Sequence, residues 1–143
     1  MLVRDVMRTD VKTIEPDANI QEAAEKMTRF RIGSLIVTEG TRLVGIITER
    51  DILMKIVAKA KDPAKTKVSD IMTKEVIMIS PDKDLEEAAL VMVEKKIKKL
   101  PVLLYDKLIG IITATDICAA QPKLMEEISQ ILIIPGRRKI VGG

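Results

Sequence analysis

The 143 residues carry 24 basic and 21 acidic side chains, a net charge of +3, which is too mild and too evenly spread to specify a nucleic-acid partner by itself. There is no histidine, which excludes Ser-His-Asp and Cys-His catalysis and any histidine metal site; the single cysteine, Cys118, rules out an intramolecular disulfide and reads as a small buried apolar residue. Hydrophobic residues make up 47% and the aromatics are only Phe30 and Tyr105, so the core is built from aliphatic side chains and methionine.

The chain begins with a short turn of helix at Val3–Met7 and an extended run, Val11–Ile14, that ends at Pro16. A helix is predicted from Ile20 to Phe30, with Asn19 as N-cap, Glu22 reaching back in a capping box, and Ala23, Ala24 and Met27 on one face. Next come a short apolar strand, Leu35–Val37, a turn over Thr38–Thr41 and a partner strand, Leu43–Ile47, spaced as a hairpin. A second helix follows Thr48 and continues through Ile52 and Ile56. The Lys-rich stretch Lys59–Lys67, with Pro63 inside it, is a linker.

The same order then returns. Residues 3–53 overlay residues 68–118 without a gap and match at 21 of 51 positions. Asp84 and Glu87 take the capping parts in the second copy, and Ala88, Ala89 and Met92 the packing parts. Leu100–Leu104, a turn around Tyr105–Lys107, Leu108–Ile112 and a helix from Ala114 complete it. A repeat of about fifty residues is one supersecondary unit that does not bury its apolar face alone, so two copies are expected to share a core and enclose two equivalent clefts. The division read from the chain is residues 1–58, a linker at 59–67, a second repeat at 68–122 and a C-terminal helix with a basic tail at 123–143. In that last segment Leu124, Ile128, Ile131 and Leu132 form an apolar stripe suited to packing on their own domain or on a second subunit. Arg137, Arg138 and Lys139 read as a solvated cluster able to touch a polyanion. With no apolar run near twenty residues and no secretory leader, a membrane span is not expected and the cytosol is the expected compartment.

The repeated Gly-Ile-Ile-Thr-x-x-Asp carries the chemistry. One reading is structural: Thr48 and Asp51, like Thr113 and Asp116, form a capping box where strand gives way to helix, and Gly45 and Gly110 mark a bulge or close packing. The other uses the same residues for a ligand, with the hydroxyl and free N–H groups meeting phosphate, the carboxylate accepting from the two hydroxyls of a ribose, and the glycine letting a flat ring approach the backbone.

These motifs resemble the CBS domains, which occur as tandem pairs known as Bateman modules. The resemblance runs over residues 3–118 and rests on Val3–Met7 and Val68–Met72, the two Pro-Asp pairs, Leu100-Pro101-Val102 and above all the doubled Gly-Ile-Ile-Thr-x-x-Asp-Ile. It implies an α/β (α+β) fold of two β-α-β-β-α repeats about a pseudo-twofold axis. It also implies clefts for adenosine-containing ligands such as AMP, ADP, ATP or S-adenosylmethionine, no catalysis, and a disk-like homodimer. By position it assigns Thr48 and Asp51, with Arg50 beside them, to phosphate and ribose in the first cleft, and Thr113 and Asp116 to those parts in the second. The base falls to Thr13, Ile14 and Ile36 in the first and to Met78, Ile79 and Pro101 in the second, where Lys98 and Lys99 complete the phosphate site. Lys95 and Lys96 read instead as the solvated end of a helix, and the unlike residues of the two repeats imply unequal affinities. The expected role is a stand-alone energy or metabolite sensor regulating an unidentified protein; the alternatives are a structural dimerisation or docking module with vestigial nucleotide sites, and, less favoured, a nucleic-acid binder using its basic stretches.

Overall fold

A computed structural model describes residues 1–132, apart from the side chains of Gln130 and Leu132; the Arg137–Lys139 cluster and the Leu132 end of the apolar stripe lie outside the described residues. In chain order the elements are α1 (Val3–Val6), β1 (Thr13–Ile14), α2 (Ile20–Phe30), β2 (Ser34–Glu39), β3 (Arg42–Thr48), α3 (Glu49–Ile52), α4 (Val68–Ile71), α5 (Leu85–Lys95), β4 (Lys99–Leu104), β5 (Lys107–Thr113), α6 (Ala114–Ala120) and α7 (Met125–Leu132). A π-helical turn, Leu53–Val57, continues α3, and a 3-10 turn, Pro122–Leu124, precedes α7. The fold is mixed α/β, as the sequence leads one to expect.

The chain forms two compact bodies, and they cross the sequence repeats. One holds Val11–Val76 with Asp106–Leu108; the other holds Met1–Asp10, Ile77–Tyr105 and the described residues from Ile109 on. Each repeat therefore gives its opening helix to the body built by the other. Val68 and Ile71 of α4 enter the first body's core beside Ile20, Ala23, Leu35 and Ile47. Val3 of α1 enters the second body's core beside Leu85, Met92, Leu100 and Ile117. Backbone bonds hold these helices in place: Val68 N–H donates to Ala18 O at 2.8 Å, and Val3 N–H to Lys83 O at 2.8 Å.

In the first body β1 runs parallel to β2 and β2 antiparallel to β3, with Thr13 opposite Ile36, Ile14 opposite Val37 and Ser34 opposite Thr48. The hairpin closes on Gly40 and Thr41, Gly40 at φ +64° where a side chain would be strained, and Thr38 belongs to β2 after a bulge rather than to the turn. In the second body the partner of β1 shrinks to one parallel bridge, Ile79 to Val102, and the β4–β5 turn uses Tyr105 and Asp106 at φ 50° and 65°.

The capping expectations are met in part. Asn19 accepts from the Glu22 N–H at 2.9 Å, but Glu22 does not accept in return from the Asn19 N–H, so no capping box closes; Asn19 stands opposite Lys67, with Ile20 N–H donating to Thr66 O at 3.0 Å. Asp84 caps α5 by position only, without a side-chain bond to the helix; the Leu85 N–H donates to Met1 O at 3.0 Å, and Glu87 faces Lys83 at 3.6 Å. The packing face of α5 is fully buried at Ala88, Ala89 and Met92, and Ala23 and Met27 are buried on α2, where Ala24 is half-buried. The C-terminal stripe packs on its own body: Leu124 and Ile128 are buried in the second core and Ile131 lies against it. Cys118 is buried there too, and burial raises its thiol pKa above the ordinary value.

Candidate functional site

Strand alternation sorts most of the candidate residues onto one face of each sheet. Leu35, Val37 and Ile47 point into the first core, which leaves Ser34, Ile36, Ile46 and Thr48 on the opposite face. Thr13 sits beside Ile36 there, and Thr48 lies two residues further along, roughly 7 Å at the usual strand rise. In the second body Leu100, Val102 and Ile112 are core, so Lys99, Pro101 and Thr113 share the other face, with Met78 exposed beside them. Ile14 does not join its neighbours: its side chain is core, and Ile79 packs against the other core. Their backbones serve the strand pairing, as where Ile79 N–H donates to Pro101 O at 3.0 Å.

At the end of each hairpin the capping box is complete. Thr48 Oγ1 accepts from the Asp51 N–H at 3.0 Å, and the Thr48 N–H donates to Asp51 Oδ2 at 3.1 Å. Thr113 and Asp116 repeat the pair at 3.1 and 3.3 Å. The two carboxylates are unusual for helix caps in that their side chains retain only 11% and 10% of their exposure. A charge so far removed from water needs partners.

Those partners come from residues that the motif reading missed. The Lys55 ammonium lies 3.1 Å from Asp51 Oδ1, and Thr73 Oγ1 approaches both oxygens at 3.4 Å. Around Asp116 the partner is Arg8, whose Nε meets Oδ1 and Oδ2 at 3.1 and 3.2 Å and whose Nη2 meets Oδ1 at 2.8 Å. Arg8 and Thr73 stand sixty-five residues apart, in the same register as the repeat, each just after the Met that follows an opening helix. Thr73 bridges Ile46, and Arg8 bridges Ile111. Only the exchange of opening helices brings them to these carboxylates, which is why spacing along one repeat could not find them.

The strand glycines belong to the same contact. A Cβ on Gly45 would fall 2.7 Å from Met72 Sδ and 3.0 Å from Thr73 O, and one on Gly110 would fall 2.7 Å from Met7 Sδ and 2.9 Å from Arg8 O. Of the two sequence readings, close packing is what occupies these positions.

Burial alone raises the pKa of Asp116, but hydrogen bonds from Arg8 and Thr113 outweigh it and leave the carboxyl below its ordinary 3.8. A lowered native pKa stabilises the fold above the unfolded value and loses that contribution as pH falls through the native one. The urea midpoint of Arg8→Ala should thus lie below wild type at neutral pH, with the gap closing as pH drops below 3.8; a gap that stays constant to pH 2 would contradict the pairing.

Arg50 and Lys98 are exposed, and Lys98 accepts the Ala114 N–H through its carbonyl at 2.8 Å, next to the start of α6. Lys95 and Lys96 are exposed at the end of α5, as expected. Two cavities open on the first body. One of about 590 Å³ is lined by Thr13, Ile14, Glu15, Asp17, Glu22 and Lys26 among others, and one of about 450 Å³ by residues of α2, Gly33, Glu49 and Ile52; Thr48 and Asp51 line neither. Among the described residues no group of three or more acidic or cysteine side chains could hold a metal ion, and no helix is long and apolar enough to cross a membrane.

Comparison with known proteins converges with this geometry. The CBS domain model matches twice, over residues 3–58 and 68–123. An uncharacterised protein of Methanopyrus kandleri is 41% identical over 130 residues, covering 90% of this chain and 66% of that one. The CBS domain-containing protein YhcV of Bacillus subtilis is 35% identical over 83% of this chain and 84% of its own length. Among solved structures, a hexameric CBS-CP12 protein from bloom-forming cyanobacteria superposes with a TM-score of 0.70 at 30% identity, over 82% of this chain and 66% of that one. The chain belongs to the CBS-domain family and carries two CBS domains in tandem.

Proposed function

We propose that this regulatory CBS pair binds adenosine-containing ligands, of the AMP, ADP and ATP class or S-adenosylmethionine, and signals through shape or partner contact rather than by catalysis. The observation that carries the reading is the pair of nearly buried carboxylates, each set at a Thr-x-x-Asp turn on the non-core face of its sheet. A plain helix cap gains little from losing its solvent, whereas a carboxylate shielded beside aliphatic side chains is suited to gripping a diol. In each body Thr48 or Thr113 would meet phosphate, Asp51 or Asp116 ribose, and Thr13 with Ile36, or Met78 with Pro101, the base. Arg50 in one body and Lys98 with Lys99 in the other supply the positive charge. The protein is expected to work in the cytosol as a homodimer, for which the hexameric CBS-CP12 relative offers a precedent of self-association. Ligand would change shape or assembly only through unequal affinities for the two states.

Calorimetric titration of AMP, ADP, ATP and S-adenosylmethionine into wild type, Asp51→Ala and Asp116→Ala tests this. Saturable binding that one or both substitutions weaken at least tenfold is the expected result. Flat traces from folded wild-type protein would leave the two boxes as helix caps and favour a docking module.

A further inference from the structure

The two carboxylates are equally shielded but are held by unlike cations. Asp51 accepts on Oδ2 from the Thr48 N–H and hydroxyl at 3.1 Å each, meets the Thr73 hydroxyl at 3.4 Å, and holds one ammonium, on Oδ1 alone, that also donates to Ile71 O at 2.9 Å. Asp116 has both oxygens engaged by a guanidinium, through Nε on each and Nη2 on Oδ1. A guanidinium fork on a carboxylate is among the stronger side-chain pairings and is geometrically specific. A ribose diol needs those same two oxygens as acceptors. Any diol arriving at Asp116 must first displace Arg8.

Arg8 can leave. Its side chain is 69% exposed, so it swings into solvent without breaking a packed core. Its place in the fold does not depend on the fork, because its backbone exchanges bonds with Ile111 at 2.8 and 2.9 Å. What the displaced cation meets next decides the outcome. A neutral nucleoside offers no replacement for the lost ion pair, whereas a nucleotide brings an anion for Arg8 to turn to.

Resting on the proposed nucleotide function, we propose that Arg8 gates the second site and makes it discriminate phosphorylated from unphosphorylated nucleosides more sharply than the first body, where a single ammonium meets one oxygen of Asp51. Arg8 is then a specificity-determining residue that acts through Asp116.

The test titrates adenosine and AMP into wild type and Arg8→Thr, the substitution that puts the residue of repeat 2, Thr73, at the matching position of repeat 1. Adenosine should bind Arg8→Thr about three- to tenfold more tightly, in line with removing a competing partly exposed ion pair, while AMP gains nothing, so the preference for AMP shrinks. Arg8→Lys, which cannot span both oxygens, should fall between the two. In an Asp116→Ala background the change at Arg8 should no longer alter either titration. An unchanged preference in Arg8→Thr, with AMP binding still sensitive to Asp116→Ala, overturns the gate and leaves the nucleotide site standing. Absence of binding by either ligand to wild type overturns both.

Discussion

Valine at position 110 should cost the protein several kcal/mol, one of the largest losses available from a single substitution. Even the first added carbon would sit 2.7 Å from Met7 Sδ and 2.9 Å from Arg8 O. Met7 is flexible, but the Arg8 carbonyl is not, since its oxygen accepts the Ile111 N–H at 2.9 Å. Overpacking of a tight site costs about 1–3 kcal/mol, and a β-branched side chain against backbone falls at the upper end or beyond. Gly45→Val should behave alike, because the Thr73 carbonyl stands 3.0 Å from the added carbon and accepts the Ile46 N–H at 2.9 Å. Urea unfolding of both variants checks this. A midpoint within error of wild type would mean that the opening segments give way freely and are not tied to the strands as described.

Asp51→Ala should lower stability by about 2 kcal/mol with no ligand present. The substitution leaves the Thr48 cap on the backbone N–H of residue 51 in place and removes only the carboxylate half of the capping box. It strips the Thr48 N–H and hydroxyl of their acceptor, at 3.1 Å each, in a site where the carboxylate had replaced water. Two shielded donors left without a partner cost roughly 1 kcal/mol each. Lys55 limits the damage: it is 45% exposed and keeps its bond to Ile71 O, so its charge is not stranded. Asp51→Asn, which preserves shape and an acceptor, should recover much of the loss. Thermal or urea melts of the two variants separate the cap from any ligand role, because the ligand is absent from both. Equal losses in Ala and Asn would show that charge, not the cap, dominates.

Element type and order were legible from the chain because they are set by local chemistry. The interval of sixty-five residues exposed the repeat, and periodicity marked α2 and α5, whose buried faces at Ala23 and Met27, and at Ala88 and Met92, are those the spacing implies. Thr-x-x-Asp is itself a local signal, since a capping box closes within one turn, and both copies form as read. Capping fell short of the motif at two side chains: Asp84 stands at the N-cap of α5 without a side-chain bond to the helix, and Glu22 does not close the box on Asn19.

What only the tertiary structure decided is where each repeat sends its opening helix. Val3 and Val68 are equally apolar and stand at the same place in their repeats, so neither composition nor period distinguishes packing at home from packing in the other body. That exchange lays the Met-Thr and Met-Arg segments along the strands, requires glycine at 45 and 110, and delivers Thr73 to Asp51 and Arg8 to Asp116. A contact across 108 residues leaves no periodic trace in a sequence, because its energy comes from surfaces that meet only when the chain is folded. The repeat, the elements and the two Thr-x-x-Asp boxes are written locally; the partners that hold and differentiate the two carboxylates are a property of the packed chain.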